Sequence, residues 1–309
     1  MKTTFCILLI VISSLSFSQE RIVEIHEEGS FINEHISVFL DNGKIIHFDS
    51  NRTDLLEQAE LAQKKQITIE YSFENEANNI IKDISTKNDL TPLYKILFKN
   101  RYLLETKEFD DSLEDDERPQ RDPMEGANLT VLPTYDAAQK LMDTFNGKTH
   151  DDSQCYNRAY MWNYEASTLH NVNLGKIWIF FTKKYIRAYN YKWWFHVAPF
   201  AQVNDANGRY ILDRGFTMVP YNVTNWKDIF IESKAECTVI KDYRDYRNNQ
   251  DEVDCYFIFS SQKFWQPYQL KKFVNRKKYS VEYTDSSLNI GYKDALRSEW
   301  DGVVPKRKK

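Results

Sequence analysis

Three side chains in the second half of the sequence have the types and the spacing for nucleophilic chemistry. Cys155 stands in "SQCYNRAYMW", where a polar loop meets a predicted helix. The unpaired N–H groups and the dipole at a helix start favour a thiolate. His196 lies in the strand-like run "WWFHVAPF", and Asp213 ends the run "RYILD". A hairpin through "NDANG" brings these two runs together, so that Asp213 can orient His196 as in thiol acyl transfer.

Each of the three residues also has an ordinary structural interpretation. A single cysteine is often a small packed hydrophobe, and a histidine in an apolar strand is often a core residue. Asp213 precedes Arg214 and Gly215 and could be a turn residue. The polar neighbours "DDSQ" and "YNR" suit a partly exposed thiol at Cys155. The placement of these residues alone leaves both interpretations open.

The same segments resemble the catalytic blocks of bacterial protein glutaminases, also called protein-glutamine deamidases. The similarity is carried by "CYNRAY" from Cys155, "WWFHVAP" around His196 and "YILD" ending at Asp213, with "PYNVTNW" at residues 220–226 as a further block. One departure is Arg214, which stands where the family has proline. The resemblance implies an α+β fold with a papain/transglutaminase-like cysteine hydrolase core in the C-terminal half. It also implies the catalytic roles of Cys155, His196 and Asp213.

The function that this resemblance implies is that of a secreted protein glutaminase. Such an enzyme converts protein-bound glutamine to glutamate and releases ammonia through a Cys-His-Asp triad and a thioester. A transglutaminase-like acyltransferase or a cysteine protease would use the same residues. A non-catalytic exported binding protein on a degenerate cysteine-hydrolase scaffold is a third hypothesis. The expected partners are proteins or peptides with an exposed glutamine.

Two tryptophans beside the histidine are candidate substrate-binding residues. Trp193 and Trp194 could wall the acyl site, although aromatic packing in the core would explain them as well. No cofactor and no metal are expected, because the histidines are scattered and the cysteines lack a zinc-binding spacing.

The secondary-structure signals predict two α+β units. The first contains the strand "HISVFL", a hairpin turn "DNGK" in which Asn42 and Gly43 supply positive φ angles, the strand "KIIHF", a helix over residues 51–65 and the strand "QITIEYSF". The second contains a helix capped by Thr134, the helix that begins at Cys155, and five strand-like runs, at residues 176–181, 192–203, 209–213, 237–240 and 255–259.

These signals divide the chain into four parts. Residues 1–18 are a predicted signal peptide, 19–107 a small separate α+β domain, 108–126 an acidic flexible linker and 127–309 the catalytic domain. The linker "EFDDSLEDDERPQRDPMEG" is too charged and too poor in apolar residues to fold by itself, and such a segment is open to an activating protease. The family layout implies that the N-terminal domain is a pro-region covering the cleft of a zymogen.

Composition and the first residues set the cellular context. The apolar run "FCILLIVI" is too short to span a bilayer, and small residues Ser16 and Ser18 precede a cleavage point, so we expect a secreted or periplasmic protein without stable membrane insertion. The net charge of −4 disfavours nucleic-acid binding. Three cysteines remain after the signal, and Cys237 and Cys255 could pair across neighbouring strands, which would leave Cys155 free.

Overall fold

The structure, a computed structural model, describes residues 20–26, 35–65, 68–86, 121–150, 153–275 and 281–306. The predicted signal peptide and most of the predicted linker lie outside the described residues. The fold is mixed α+β, with one sheet in each half of the chain. Within the described part, every helix is too short or too polar to cross a membrane.

The N-terminal half forms a closed barrel with its own apolar core. Its strands follow the order β1-β2-β3-β5-β4 around the barrel. They are β1 (Glu20–His26), β2 (His35–Leu40), β3 (Ile45–Asp49), β4 (Thr68–Asn75) and β5 (Ile80–Thr86). Helix α1 (Thr53–Lys65) packs Leu55, Ala59 and Ala62 into this core, which is the face that the 3.6-residue period predicts.

The hairpin between β2 and β3 projects from the barrel. Leu40 N–H donates to the Lys44 carbonyl at 3.0 Å and Gly43 N–H to the Leu40 carbonyl at 3.0 Å. Gly43 has φ +90°, whereas Asn42 keeps a negative φ, so the prediction of two positive angles is wrong for Asn42. A type I turn followed by a glycine in the left-handed region needs one positive angle only.

The C-terminal half is built around a second sheet, with strand order β10-β11-β7-β8-β6 and β9 paired to β8. The strands are β6 (Val131–Leu132), β7 (Gly175–Phe181), β8 (Phe195–Val203), β9 (Arg209–Ile211), β10 (Cys237–Ile240) and β11 (Cys255–Ser261). Strands β7 and β11 are almost wholly buried, which explains their continuous apolar runs. Cys237 and Cys255 are opposite each other in the parallel β10–β11 pair and form a disulfide.

Seven helices accompany this sheet in the described part of the chain. They are α2 (Tyr135–Asp143), α3 (Cys155–His170), α4 (Lys183–Tyr189), α5 (Val223–Phe230), α6 (Tyr243–Asn248), α7 (Pro267–Asn275) and α8 (Asp285–Leu296). Thr134 caps α2 as predicted, since its side chain accepts a hydrogen bond from the Ala137 N–H. Helix α3 packs against both β8 and α8.

The last six residues of the predicted linker are ordered. Residues 121–126 form a turn against the C-terminal half, and the Arg121 guanidinium lies 3.8 Å from the ring centroid of Phe273. The Pro123 carbonyl accepts the Ser261 N–H at 3.0 Å, and Arg121 donates to the Phe273 carbonyl at 2.9 Å. Cation–π and hydrogen-bond contacts therefore hold residues 121–126 against the C-terminal half, although the composition of this segment is typical of a flexible chain.

Candidate active site

Cys155 is the first residue of α3, as the sequence predicts. The preceding residue, Gln154, is extended (φ −67°, ψ 128°), and its carbonyl accepts the N–H groups of Asn157 at 3.0 Å and Arg158 at 3.1 Å. The N–H groups of the first helical residues have no intrahelical acceptor and surround the end of the helix where the thiol lies. Cys155 is a free cysteine, and only 7% of it is exposed.

The position of His196 is fixed by the sheet. It lies in β8 opposite Ile179 of β7. The hairpin through residues 204–208 returns the chain as β9, and the Leu212 N–H donates to the Pro199 carbonyl at 2.9 Å beyond the end of that strand. This extra bond extends the pairing with β8 as far as Leu212, so that the next residue, Asp213, lies beside His196. The result is a distance of 2.8 Å between His196 Nε2 and Asp213 Oδ2.

Asp213 is held by contacts other than its bond to the histidine. Its Oδ2 also accepts the indole Nε1–H of Trp226 at 2.9 Å. Its carbonyl accepts the N–H groups of Phe216 at 2.9 Å and Thr217 at 2.8 Å, which closes the turn. Arg214, in the place of the family's proline, donates instead to the Met142 carbonyl at 3.1 Å. The arginine therefore leaves the Asp213–His196 bond intact.

The protonation of His196 follows from these neighbours. Burial disfavours the imidazolium, but the charge and the hydrogen bond of Asp213 and a hydrogen bond to Cys155 outweigh it and raise the pKa of His196 to about 9. The contribution from Cys155 indicates that its side chain lies near the ring. The structure thus pairs His196 with Asp213 at 2.8 Å and has Cys155, the third residue that the sequence singles out, near the ring.

Three aromatic side chains surround the imidazole. The centroid of the His196 ring lies 4.9 Å from that of Phe216, 5.8 Å from that of Trp226 and 4.4 Å from that of Phe230. Trp226 and Phe230 lie four residues apart on α5 and share a face. The site prediction missed these residues, although Trp226 stands in the "PYNVTNW" block that resembles the family. Phe230 could have been predicted from its spacing, because an aromatic residue four positions after Trp226 lies on the same helix face.

The two tryptophans before His196 differ in their surroundings. Trp194 is fully buried and stacks on Phe39 of the barrel at 5.3 Å between centroids. Trp193 is 43% exposed, and its ring lies so close to Gly43 that a Cβ there would be 2.9 Å from it. In the intact chain, both side chains therefore contact the barrel. Their predicted role in substrate binding stays a prediction.

The barrel hairpin pairs with the segment that precedes β8. The Trp194 N–H donates to the Gly43 carbonyl at 2.8 Å, and its indole Nε1–H donates to the Leu40 carbonyl at 2.7 Å. The Ile45 N–H donates to the Lys192 carbonyl at 3.3 Å. These bonds continue the sheet from one half of the chain into the other. Residues 192–194, the first part of the predicted strand over residues 192–203, pair with the hairpin in this way, and β8 itself begins at Phe195.

The tip of the hairpin is buried near the start of α3. Asp41 and Asn42 are 3% and 4% exposed. Burial raises the pKa of Asp41 to about 6, with Arg21 opposing the shift and Asp294 adding to it. The charge of Asp41 also acts on Tyr156, which follows the candidate nucleophile. The tip of the hairpin is thus within electrostatic range of Tyr156.

No group of three or more His, Cys, Asp or Glu side chains in the described ranges is arranged to hold a metal ion.

Comparison with known proteins agrees with the chemistry of this site. Residues 134–230 match the family model described as Glutaminase. The resemblance to the glutaminase family is confirmed over this segment. It contains Cys155, His196 and Asp213, and the match supports a hydrolase with deamidase function. No curated protein sequence matches the chain.

Two solved structures of protein glutaminases are similar in fold. One is a crystal structure of a pro-protein-glutaminase, 13% identical, which aligns over 90% of this chain and 92% of that chain with a TM-score of 0.47. The other is the NMR structure of protein-glutaminase from Chryseobacterium proteolyticum, 12% identical, which aligns over 57% of this chain and 95% of that chain with a TM-score of 0.35.

Proposed function

We propose that the chain is a secreted protein glutaminase that converts protein-bound glutamine to glutamate through Cys155, His196 and Asp213. The observation that carries the proposal is the contact sequence at the start of α3. Cys155 begins a helix near the imidazole of His196, and Nε2 of that imidazole lies 2.8 Å from Oδ2 of Asp213. A papain/transglutaminase-like core, with the cysteine helix packed on the histidine strand, is the corresponding fold assignment.

In the acylation step, the Cys155 thiolate attacks the side-chain amide carbon of a glutamine. The C–S bond forms as the carbonyl electrons move to oxygen, and N–H groups at the start of α3 stabilise the oxyanion. His196, held as an imidazolium by Asp213, gives its proton to the leaving nitrogen. The C–N bond breaks, ammonia leaves and a thioester remains.

In the deacylation step, the neutral His196 takes a proton from water, and the resulting hydroxide attacks the thioester carbon. The C–S bond breaks and the glutamate side chain is released, while the proton remains on the histidine. The aromatic side chains around His196 exclude bulk water from the ring, which strengthens its interaction with Asp213. The choice of water rather than a lysine amine as the group that attacks the thioester is based on the family match.

The N-terminal barrel acts in this proposal as an inhibitory pro-region. Its hairpin accepts both Trp194 N–H groups and buries Asp41 and Asn42, and in the same intact chain Cys155 is only 7% exposed. A protease that cuts within residues 108–126, on the N-terminal side of the ordered turn at residues 121–126, would allow the barrel to leave. Export through the signal peptide at residues 1–18, and therefore a secreted or periplasmic location, completes the proposal.

The test is ammonia release from casein by the full chain before and after cutting at a specific protease site engineered within residues 108–120. We expect release by the cut chain and little by the intact chain. Cys155→Ser in the cut chain should lose activity, because serine keeps the size but not the thiolate. Absence of ammonia release by the cut chain, while Cys155 is accessible to iodoacetamide, would refute the proposal.

The same samples separate the alternatives. A cysteine protease would produce new peptide termini, and an acyltransferase would produce lysine crosslinks in place of glutamate. A non-catalytic binding protein would release no ammonia and would show no fast alkylation of Cys155 after cutting.

A further inference from the structure

The helix that carries Cys155 lacks a cap of its own. Its N-cap residue is Gln154, whose side chain makes no capping hydrogen bond. Helices α2, α4, α5 and α8 are each capped by a Thr or Asn side chain. A helix start without such a cap leaves donors unsatisfied and frays more easily. The start of α3 is nevertheless the point that must be held most accurately for an attack by sulfur.

A carboxylate from a distant helix holds the residues at this helix start by other hydrogen bonds. Asp294 of α8 accepts the Gln154 N–H at 2.9 Å and the Asn157 side-chain Nδ2–H at 2.8 Å. Both bonds go to the same oxygen, Oδ2, and they reach the residues on either side of the Cys155–Tyr156 pair. The other end of the Asn157 amide accepts the Trp265 indole N–H at 2.7 Å.

The surrounding contacts make this carboxylate part of a rigid frame. Asn157 and Trp265 are 3% and 4% exposed. The backbone carbonyl of Ala295, next to Asp294, accepts the His150 N–H at 3.0 Å, so α8 also holds the loop before α3. Asp294 and its neighbours lie outside residues 134–230, the segment that matches the family model.

From this geometry we infer that Asp294 is a positioning residue for Cys155. Its hydrogen bonds fix the extended conformation of Gln154 and thereby the direction of the thiol and of the first helical N–H groups. The hydrogen bonds of Asp294 favour catalysis by positioning the thiol. Its negative charge disfavours catalysis, because an anion next to a helix start repels a thiolate at the same place. The inference rests on the proposed function of Cys155, but it concerns the reactivity of the thiol, which is measured without a substrate.

Two substitutions separate the hydrogen bonds from the charge. Asp294→Asn keeps an oxygen that can accept both hydrogen bonds and removes the charge, whereas Asp294→Ala removes both. The measurements on the cut chain are the rate of Cys155 alkylation by iodoacetamide against pH, and kcat and KM for ammonia release. Asp301→Asn, an exposed aspartate at the end of the chain's last turn, is the matched charge control.

We expect Asp294→Ala to lower kcat by about 10-fold or more with little change in KM, because the thiol is misdirected while the substrate contacts remain. In Asp294→Asn, kcat and the rate of Cys155 alkylation should stay within about 3-fold of the parent values, because an oxygen that accepts both hydrogen bonds remains. If Asp294→Ala does not fold, judged by circular dichroism, Asn157→Ala tests the same frame by removing the bond to Asp294 and the bond from Trp265 while the Gln154 N–H keeps its acceptor.

The inference is overturned if Asp294→Ala matches the Asp301→Asn control in kcat and in its alkylation profile. It is also overturned if Asp294→Asn loses as much activity as Asp294→Ala. Failure of the proposed function would look different, since the parent chain would then release no ammonia while the alkylation series still reports on Asp294.

Discussion

Replacing Asp213 by asparagine tests the electrostatic basis of the site. The carboxylate is what keeps the buried His196 protonated, because burial alone lowers the pKa of a histidine and the Asp213 charge and hydrogen bond raise it. An asparagine has nearly the same shape and can still accept the Trp226 N–H, so the packing of the site is retained. Only the charge is lost.

The magnitude follows from the pKa of His196. The difference between about 9 and the ordinary value of 6.5 is about 2.5 pH units, which corresponds to roughly 3 kcal/mol or about 300-fold in the protonation equilibrium. In Asp213→Asn the burial that lowers the pKa remains and so does the contribution from Cys155 that raises it, so the expected fall is of about this size. Near pH 7.5 the parent histidine is almost fully protonated, and the variant histidine would be mostly neutral.

The assay is NMR titration of the His196 ring in the cut chain, together with the pH profile of Cys155 alkylation. Cys237 and Cys255 are joined in a disulfide, which leaves Cys155 as the free thiol of the described chain. We expect the His196 pKa to fall to about 6.5 and deacylation and ammonia release to fall by at least about 100-fold at neutral pH. Asp143→Asn, at an exposed carboxylate 3.9 Å from Arg214, controls for the loss of one charge.

A His196 pKa that stays within about half a unit of its parent value in Asp213→Asn would refute this reasoning. The protonation of the ring would then come from another source, and the carboxylate would have only a packing role.

Four further results are expected. Burial raises the pKa of Glu165 from 4.5 to about 7, so the chain is more stable below pH 4.5 and loses that stability as the pH rises through about 7. Glu165→Gln should therefore stabilise the chain by up to about 3 kcal/mol at pH 8 and by little at pH 4.5. Urea unfolding at the two pH values measures the difference. Gly43→Val places a Cβ 2.9 Å from the Trp193 ring at a φ of +90°, so it should weaken the docking of the hairpin and speed alkylation of the intact chain several-fold; an unchanged rate would contradict the role of the hairpin. Removing the β10–β11 disulfide, which spans 18 residues, should cost about 3 kcal/mol in unfolding free energy without loss of the alkylation profile. Phe216→Ala opens one side of the His196 ring to water and should raise its pKa, detected by NMR titration, because burial is the largest contribution that disfavours the imidazolium and water relieves it.

The local signals of the sequence predicted the parts of the site that depend on one element or one hairpin. The position of Cys155 at a helix start and the pairing of the His196 strand with the strand before Asp213 are of this kind, and the structure has both. Thr134 as a cap is another. In each case a few neighbouring residues determine the geometry.

The remaining parts depend on contacts between distant segments, which periodicity does not encode. The barrel closes through a parallel β3–β5 pair and a short β1–β4 pair, and neither has a local signature. Residues 192–194 look like part of a long strand, but they pair with the hairpin at residues 41–45 from the other half of the chain. Asp294 lies more than a hundred residues along the chain from Gln154, whose N–H it accepts, so no spacing rule could predict this contact.

The separate core of the barrel has a consequence for the onset of activity. In the proposed zymogen, cutting the connecting segment would leave that core and its hairpin, and the excised barrel would be a folded competitor for the surface it has left. Its residence would then depend on its own concentration, and dilution, or digestion of the freed fragment, would set the moment at which the enzyme begins to turn over. A freshly cut, concentrated sample should show a lag that shortens as it is diluted.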